Sequence, residues 1–403
     1  MSVNTMSFAQ IASVLNSIIK QATGQDALTP TNTSEFVSAG QTALSLPRDA
    51  VMNAISGVIG RTIFAIRPYS AKFAGLEKTP ERWGAYMRKL SIADEDWDNH
   101  KGYAWPVTYD ASQNPPDGEG YSVDQWTVKK PDVLQTNFFG ASVYQDHYSI
   151  TEEQLETAFR GPEELGSFFS MITTAMSNRL ERAKDSTARG LVANMIGSLV
   201  HENNTSRVIH LLTEYNAETG LTLTAQTVYR PDNFPAFTKW LYARIANLSD
   251  LMTEASEMYQ TVVNGKHIIR HTDVERQKIY LFSKMRHAFD ARVLADTFHD
   301  SYLRFADVES VNFWQSIETP DRVSVLPVYT GATGALVEPD ESVTATNILG
   351  IMFDDDAAGY GYLDRRYYPT PLNAAGLYRN IWISARQKVF MDNTEKMIVL
   401  LLD

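Results

Sequence analysis

Three places in the chain carry residues of the types that bind metals, cradle phosphates or act on substrates. His267 and His271 stand four apart, with Asp273 and Glu275 just beyond. On a helix that spacing aims two imidazoles at one metal ion, with the carboxylates as further ligands. Here the pair follows the turn Asn264-Gly265 and brackets Ile268-Ile269, which points instead to surface or hairpin histidines. Asp354-Asp355-Asp356 closes the apolar run Ile351-Met352-Phe353. Acidic groups at strand ends hold Mg²⁺ or Ca²⁺ in α/β folds, but the Ala357-Ala358-Gly359 that follows suits a solvated turn. Gly331-Ala332-Thr333-Gly334 follows a predicted strand, as a phosphate cradle does, yet no G-x-G-x-x-G is completed and a loop is expected. P-loop, G-x-S-x-G and H-E-x-x-H patterns are missing, and no acid, base and nucleophile fall in one neighbourhood. No catalytic residue, cofactor or metal is assigned from these patterns, and their absence is informative without deciding the question.

Composition narrows the classes further. The 403 residues leave room for two or three compact units with real cores. With no cysteine, the chain has no thiol nucleophile, Cys-based zinc site or iron–sulfur cluster. Lys plus Arg number 36 against 48 Asp plus Glu, a net charge of −12, which argues against tight nucleic-acid binding. Lys129-Lys130, Arg365-Arg366 and Arg379 are isolated basic spots, expected as solvated surface. Met1 to Gln10 lacks the basic start and apolar stretch of a secretory signal, and the longest apolar run, Met397 to Leu402, is far short of the roughly 18–20 residues of a membrane span. A soluble protein is expected, in which any ordered assembly comes from shaped interfaces.

The elements that would position these groups follow from periodicity. Phe8, Ile11, Ala12, Leu15, Ile18 and Ile19 predict an amphipathic helix with Ser7 as its N-cap, and Thr29 to Ser34 a flexible arm. A short helix over Asp49 to Ile59 and a strand over Thr62 to Ile66 come next. Four of the seven tryptophans, Trp83, Trp97, Trp105 and Trp126, then fall among acidic runs such as Asp94-Glu95-Asp96. This stretch is too polar to build its own core, yet tryptophans in that number seldom stay in water. Trp126-Thr127-Val128 and Ala141 to Tyr144 suggest a two-stranded excursion whose aromatics another chain covers; the alternative is an irregular loop packed on its own domain.

The strongest signal is helical. Thr151-Glu152-Glu153-Gln154 fits a capping box for a short helix ended by Gly161. Pro162 suits the first position of a second helix, whose apolar face runs through Phe168, Phe169, Ile172, Met176 and Leu180. Carried to Leu199 it would be about 57 Å long at ~1.5 Å per residue. Beyond it the pattern predicts strand pieces at Arg207 to Leu212 and Leu221 to Val228, and a helix from Pro235 to Met258. A strand at Lys278 to Phe282 precedes a helix from Lys284 to Phe298. Further strands are expected at Val323 to Val328, Asn347 to Phe353, Gly376 to Lys388 and Glu395 to Leu402, giving an α+β class.

This order of parts, N-terminal arm, tryptophan-bearing excursion, very long helix, α+β block and returning strands, resembles the major capsid protein of tailed phages, the Hong Kong 97-like fold. The likeness is nearest the small short-tailed phages related to phi29. It is carried by Asn137-Phe138-Phe139-Gly140 through Tyr144-Gln145 to Ile150, by Gly166-Ser167-Phe168-Phe169-Ser170-Met171-Ile172, and by Asn373-Ala374-Ala375-Gly376-Leu377-Tyr378-Arg379-Asn380 before the last strands.

The resemblance implies an N-arm and start of the P-domain over 1–76, an E-loop over 77–148, the P-domain spine helix over 149–212, an A-domain over 213–372 and P-domain strands over 373–403. It implies self-assembly into hexamers and pentamers of an icosahedral or prolate head around double-stranded DNA. It also implies a portal protein, a separate scaffolding protein, assembly in the host cytoplasm and residence in the virion. Trp83, Trp97, Trp105 and Trp126 would then meet a neighbouring subunit, whose Arg179, Arg182 or Arg189 would answer the acidic excursion. The N-arm and excursion would shift on maturation. Rival expectations are an encapsulin-like cargo shell and a metal-dependent enzyme using Asp354 to Asp356.

Overall fold

The computed structural model describes residues 7–24, 29–47, 49–55, 73–78, 86–93, 132–139, 142–266, 268–285 and 307–403. Helix α1, Phe8–Thr23, opens with a full capping box: the Ser7 hydroxyl accepts from the Gln10 amide and the Gln10 side chain accepts from the Ser7 amide at 2.8 Å. The Thr, Ser and Asn-rich stretch expected as a flexible arm is instead the start of helix α2, Thr33–Ser45. Asn32 accepts from the Glu35 amide at 2.9 Å, and the Glu35 carboxylate reaches back to the amide and hydroxyl of Thr31, both at 2.8 Å. These short polar side chains are capping groups rather than signs of disorder. Residues 49–55 form α3. The strand expected at Thr62 to Ile66 lies outside the described residues.

Strands β1, Tyr86–Ala93, and β2, Asp132–Phe139, pair antiparallel in a two-stranded ribbon. The ribbon was expected one segment later: Trp126 to Val128 lies outside the described residues, and residues from Ser142 onward belong to a different sheet. That sheet begins with β3, Ser142–Thr151, which leads through the Thr151–Gln154 capping box into α4, Glu152–Ala158. Gly161 and Pro162 then open α5, Pro162–Glu202, a helix of 41 residues and about 62 Å at ~1.5 Å rise.

Two cores divide this helix between them. Phe168, Phe169, Ile172 and Met176 are buried with Ile11, Leu15 and Ile18 of α1, Phe36 of α2, Val51 and Ile55 of α3 and Leu155 of α4. Ile381 and Ile383 close that core from below, on β13, Tyr378–Met391. Further along, Leu191, Val192, Met195, Ile196 and Leu199 are buried against a five-stranded sheet. Gly197 lets this half also come close to Val325, which lies outside that sheet, since a Cβ there would stand 2.4 Å from Val325 Cγ1.

The five-stranded sheet is built from β4, Val208–His210; β5, Gln277–Phe282; β6, Asp307–Val311; β11, Ile348–Asp354; and β14, Met397–Leu401. Its order is β4-β14-β11-β5-β6, parallel at the two outer pairs and antiparallel between. Its central strands β11 and β14 are buried on both faces, which is why they read as apolar runs. Tyr280, Phe282, Ile351, Phe353, Met397, Val399 and Leu401 face α5. Ile279, Met352, Ile398 and Leu400 face a third core, formed with α6, Leu211–Thr219, and α7, Phe234–Thr253.

Short strands β7, Val323–Val325, and β10, Val343–Ala345, pair beside α5, as do β8, Tyr329–Thr330, and β9, Leu336–Val337, with each other. Strand β12, Ala358–Pro369, pairs with β13, which pairs with β3.

Several expectations need correction. Leu221 to Val228 is a turn region rather than a strand, because its residues hydrogen-bond locally. The Asn216 side chain clasps the amide and carbonyl of Leu223 at 2.8 and 2.9 Å, and Thr224 and Thr227 exchange side-chain bonds with each other's amides. Helix α6 took the place of the first strand's end, and the strand at 323 stops at Val325. Helical turns begin at 283–285 as expected, and the rest of the Lys284 to Phe298 helix lies outside the described residues.

Truncating Ile196, fully buried between α5 and the sheet, to alanine should cost ~2–5 kcal/mol by transfer and cavity terms. Truncating the exposed Met171 on the same helix should stay within about 0.5 kcal/mol. Urea unfolding of the two variants measures the difference.

Candidate assembly interface

The four tryptophans singled out in the sequence, Trp83, Trp97, Trp105 and Trp126, lie outside the described residues, as do Lys129 and Lys130. What is described is the ribbon from whose ends the 94–131 segment departs. Alternation splits its two faces. Leu90 and Ile92 stand opposite Gln135 and Val133, and Leu90, Ile92 and Val133 are 56%, 60% and 43% exposed. An apolar cluster of this kind is a candidate contact surface.

The other face is fastened to the body of its own subunit. Lys89 Nζ donates to Asp392 Oδ2 at 2.8 Å and pairs with Glu395. Arg270 pairs with the same Glu395 and donates to Ser91 Oγ at 3.0 Å and Thr394 Oγ1 at 2.9 Å. On β2, the Val133 carbonyl accepts from Lys266 at 2.8 Å, and the Phe138 ring lies 5.6 Å from that of Phe390. Both carboxylates are nearly out of water, with side chains 2% and 7% exposed. Burial pushes the Asp392 carboxyl up, but the Lys89 ammonium and the Thr394 amide and hydroxyl outweigh it and hold the group below its ordinary value.

The spine-helix face is placed inside the subunit. Phe168, Phe169, Ile172, Met176 and Leu180 are all buried, so they hold α5 against the chain's own helices rather than offering a surface. Of the three arginines expected to meet a neighbour, Arg189 is spent internally, paired with Asp185 at 2.8 Å and with its guanidinium 3.8 Å over the Phe313 ring. Arg179 is half-exposed and pairs with Asp146 at 3.1 Å, while Arg182 donates to the Asn178 carbonyl of its own helix at 3.3 Å. Arg379, expected at the surface, is buried and paired with Asp49, pinning α3 to β13.

The metal candidates dissolve on inspection of their partners. Asp354 is buried and accepts from Arg276 at 3.1 Å and from the Asp356 amide at 2.8 Å; Asp356 pairs with the same arginine and Asp355 with Lys78. Cations from the chain occupy the places that a divalent ion would take. His271 is exposed, His267 lies outside the described residues, and no cluster of three or more metal-ligating side chains occurs among the described residues. Gly331 to Gly334 is the loop joining β8 to β9, with Gly334 at φ +74°. No described helix is long and apolar enough to cross a membrane.

The described residues thus combine a long helix shared by two cores, a ribbon with an exposed apolar face and a sheet packed between two cores. The profile of the Phi29-like phage major capsid protein family matches residues 15–401. The chain belongs to that family. Its fold is the Hong Kong 97 type, and it is a structural protein of the phage head, resident in the virion, that assembles with copies of itself. A search among curated proteins returns no match. Among solved structures the chain is similar to one in the capsid of Staphylococcus phage Andhra, with a TM-score of 0.51 at 13% identity over 84% of this chain and 86% of that one. It is also similar to one in the structure of the head fiber and inner core protein of native bacteriophage P68, with a TM-score of 0.50 at 11% identity over 83% and 85%.

Because the Asp392 carboxyl is held below its ordinary value of 3.8, it adds stability that is complete above that pH and is lost as the pH falls through the lowered value. Wild type should exceed Asp392→Asn by ~2 kcal/mol at neutral pH, and the gap should close below pH 3.8. Urea titrations across the acid range test this.

Proposed function

We propose that the major capsid protein tiles the head as hexamers and pentamers around double-stranded DNA, with residues 77–148 acting as an E-loop laid over the neighbouring subunit. The reading divides the chain into an N-arm and start of the P-domain (1–76), that loop, a spine segment (149–212), an A-domain (213–372) and returning P-domain strands (373–403). The observation that carries it is the apolar outer face of the ribbon, Leu90, Ile92 and Val133, open to water in the single subunit. The segment continuing from it holds Trp97, Trp105 and Trp126, with Trp83 just before its root. Buried aromatics are the usual anchors of protein contacts, and many modest contacts repeated over a closed shell give a stable particle.

With a net charge of −12, contact with packaged DNA is weak and confined to few basic side chains. A separate scaffolding protein and a portal protein are the expected partners during assembly in the host cytoplasm.

Replacing Trp97 and Trp126 together by alanine should leave the subunit folded and abolish shells, rings and tubes. Each buried tryptophan anchor is worth ~2 kcal/mol or more per contact, repeated at every interface. Sedimentation and negative-stain electron microscopy read the outcome; wild-type assembly by the double variant overturns the interface.

A further inference from the structure

The ribbon is held on its own subunit by an unusual set of charges. Lys89 reaches from its inner face to two carboxylates, Asp392 and Glu395, on the turn between β13 and β14. That turn is itself buried from Asp392 through Lys396. Lys396 is consumed elsewhere, donating to the carbonyls of Met252 at 3.1 Å and Glu254 at 2.6 Å. The cations facing Asp392 and Glu395 are therefore Lys89 from the ribbon and Arg270 from the body, and Arg270 in turn holds Ser91 of the ribbon and Thr394 of the turn. Lifting the ribbon away would strip Lys89 from two nearly dry carboxylates, leaving Arg270 on Glu395 alone and only the Thr394 amide and hydroxyl on Asp392, which is costly. Strand β2 is fixed at the same level through the Val133 carbonyl and Phe138.

We propose that Lys89, seated on the Asp392–Glu395 carboxylate pair, is a positioning residue for shell assembly: it keeps the ribbon root closed on its own subunit and so sets the direction in which residues 94–131 are presented to the next copy. Curvature of the shell then depends on this latch, because a ribbon pinned on both strands can point only one way. The inference rests on the reading that this segment meets a neighbour.

The full-length chain offers a clean test because it contains no cysteine. Ser91 and Thr394 both accept from one nitrogen of Arg270, so Ser91→Cys with Thr394→Cys sets one thiol on each side of the latch, and intact mass shows whether an added oxidant has joined them in a disulfide. The oxidised variant should assemble shells of wild-type diameter without reductant. Lys89→Met should keep the β14 amides protected while those of β1 and β2 exchange about tenfold faster or more, and it should give shells of mixed diameter or open sheets. Lys89→Arg, which keeps the charge, should give one size. Assembly of the oxidised variant only after reduction would mean that the ribbon must leave its own subunit, and would overturn the proposal. Lys89→Met shells as uniform as wild type would overturn it too, and this arm decides alone if the disulfide fails to close. Failure of the underlying reading shows separately, as normal assembly by the tryptophan variants.

Discussion

Helix α5 belongs to two cores at once, and the rest of the subunit follows from that sharing. A helix averages about three turns in ordinary globular folds; this one continues for 41 residues because successive stretches of it find different partners. Its first half is sealed by α1 to α4 and the inner face of β13, its second by one face of the five-stranded sheet. Neither core is separable from the other without cutting the same rod.

The sheet shows the same economy. Its residues alternate between the α5 core and the α6–α7 core, so Ile398 and Leu400 serve one side while Met397, Val399 and Leu401 serve the other. Buried charges mark the joins. Arg207, fully buried, ties Glu202 at the end of α5 to Thr261 and the Met397 carbonyl. Burial, only partly offset by Glu202, lowers the Arg207 pKa to about 10. Arg379 with Asp49 and Lys89 with Asp392 fasten the N-terminal helices and the ribbon in the same manner.

Much of this was legible in the sequence where local chemistry and tertiary packing agree. Ser7, Thr151 and Pro162 announce helix starts that the structure keeps, and Phe237, Leu241, Ile245, Leu248 and Met252 mark the buried face of α7. Reading failed where polar side chains had two uses. Asn32 and Glu35 cap a helix in a stretch that looked loose, and Thr224 and Thr227 turn a strand-like run back on itself. The ribbon latch was harder still, because Lys89 and its carboxylates are some three hundred positions apart, and nothing local at either end signals the other. Arg379 looked like surface charge for the same reason: its partner, Asp49, is remote in sequence.

Both main sheets are completed by strands that meet across about half of the chain. Strand β14 pairs Val399 with Val208, and β13 pairs Tyr378 with Thr151. Helices α1, α2 and α5 can form from their own neighbours, but the surfaces they are built to cover exist only after these distant encounters. Folding of such a topology is slow, and exposed strand edges persist while it proceeds. A head is built from many copies of one subunit, so the pace at which β13 and β14 find their places limits how fast pieces fit for building become available.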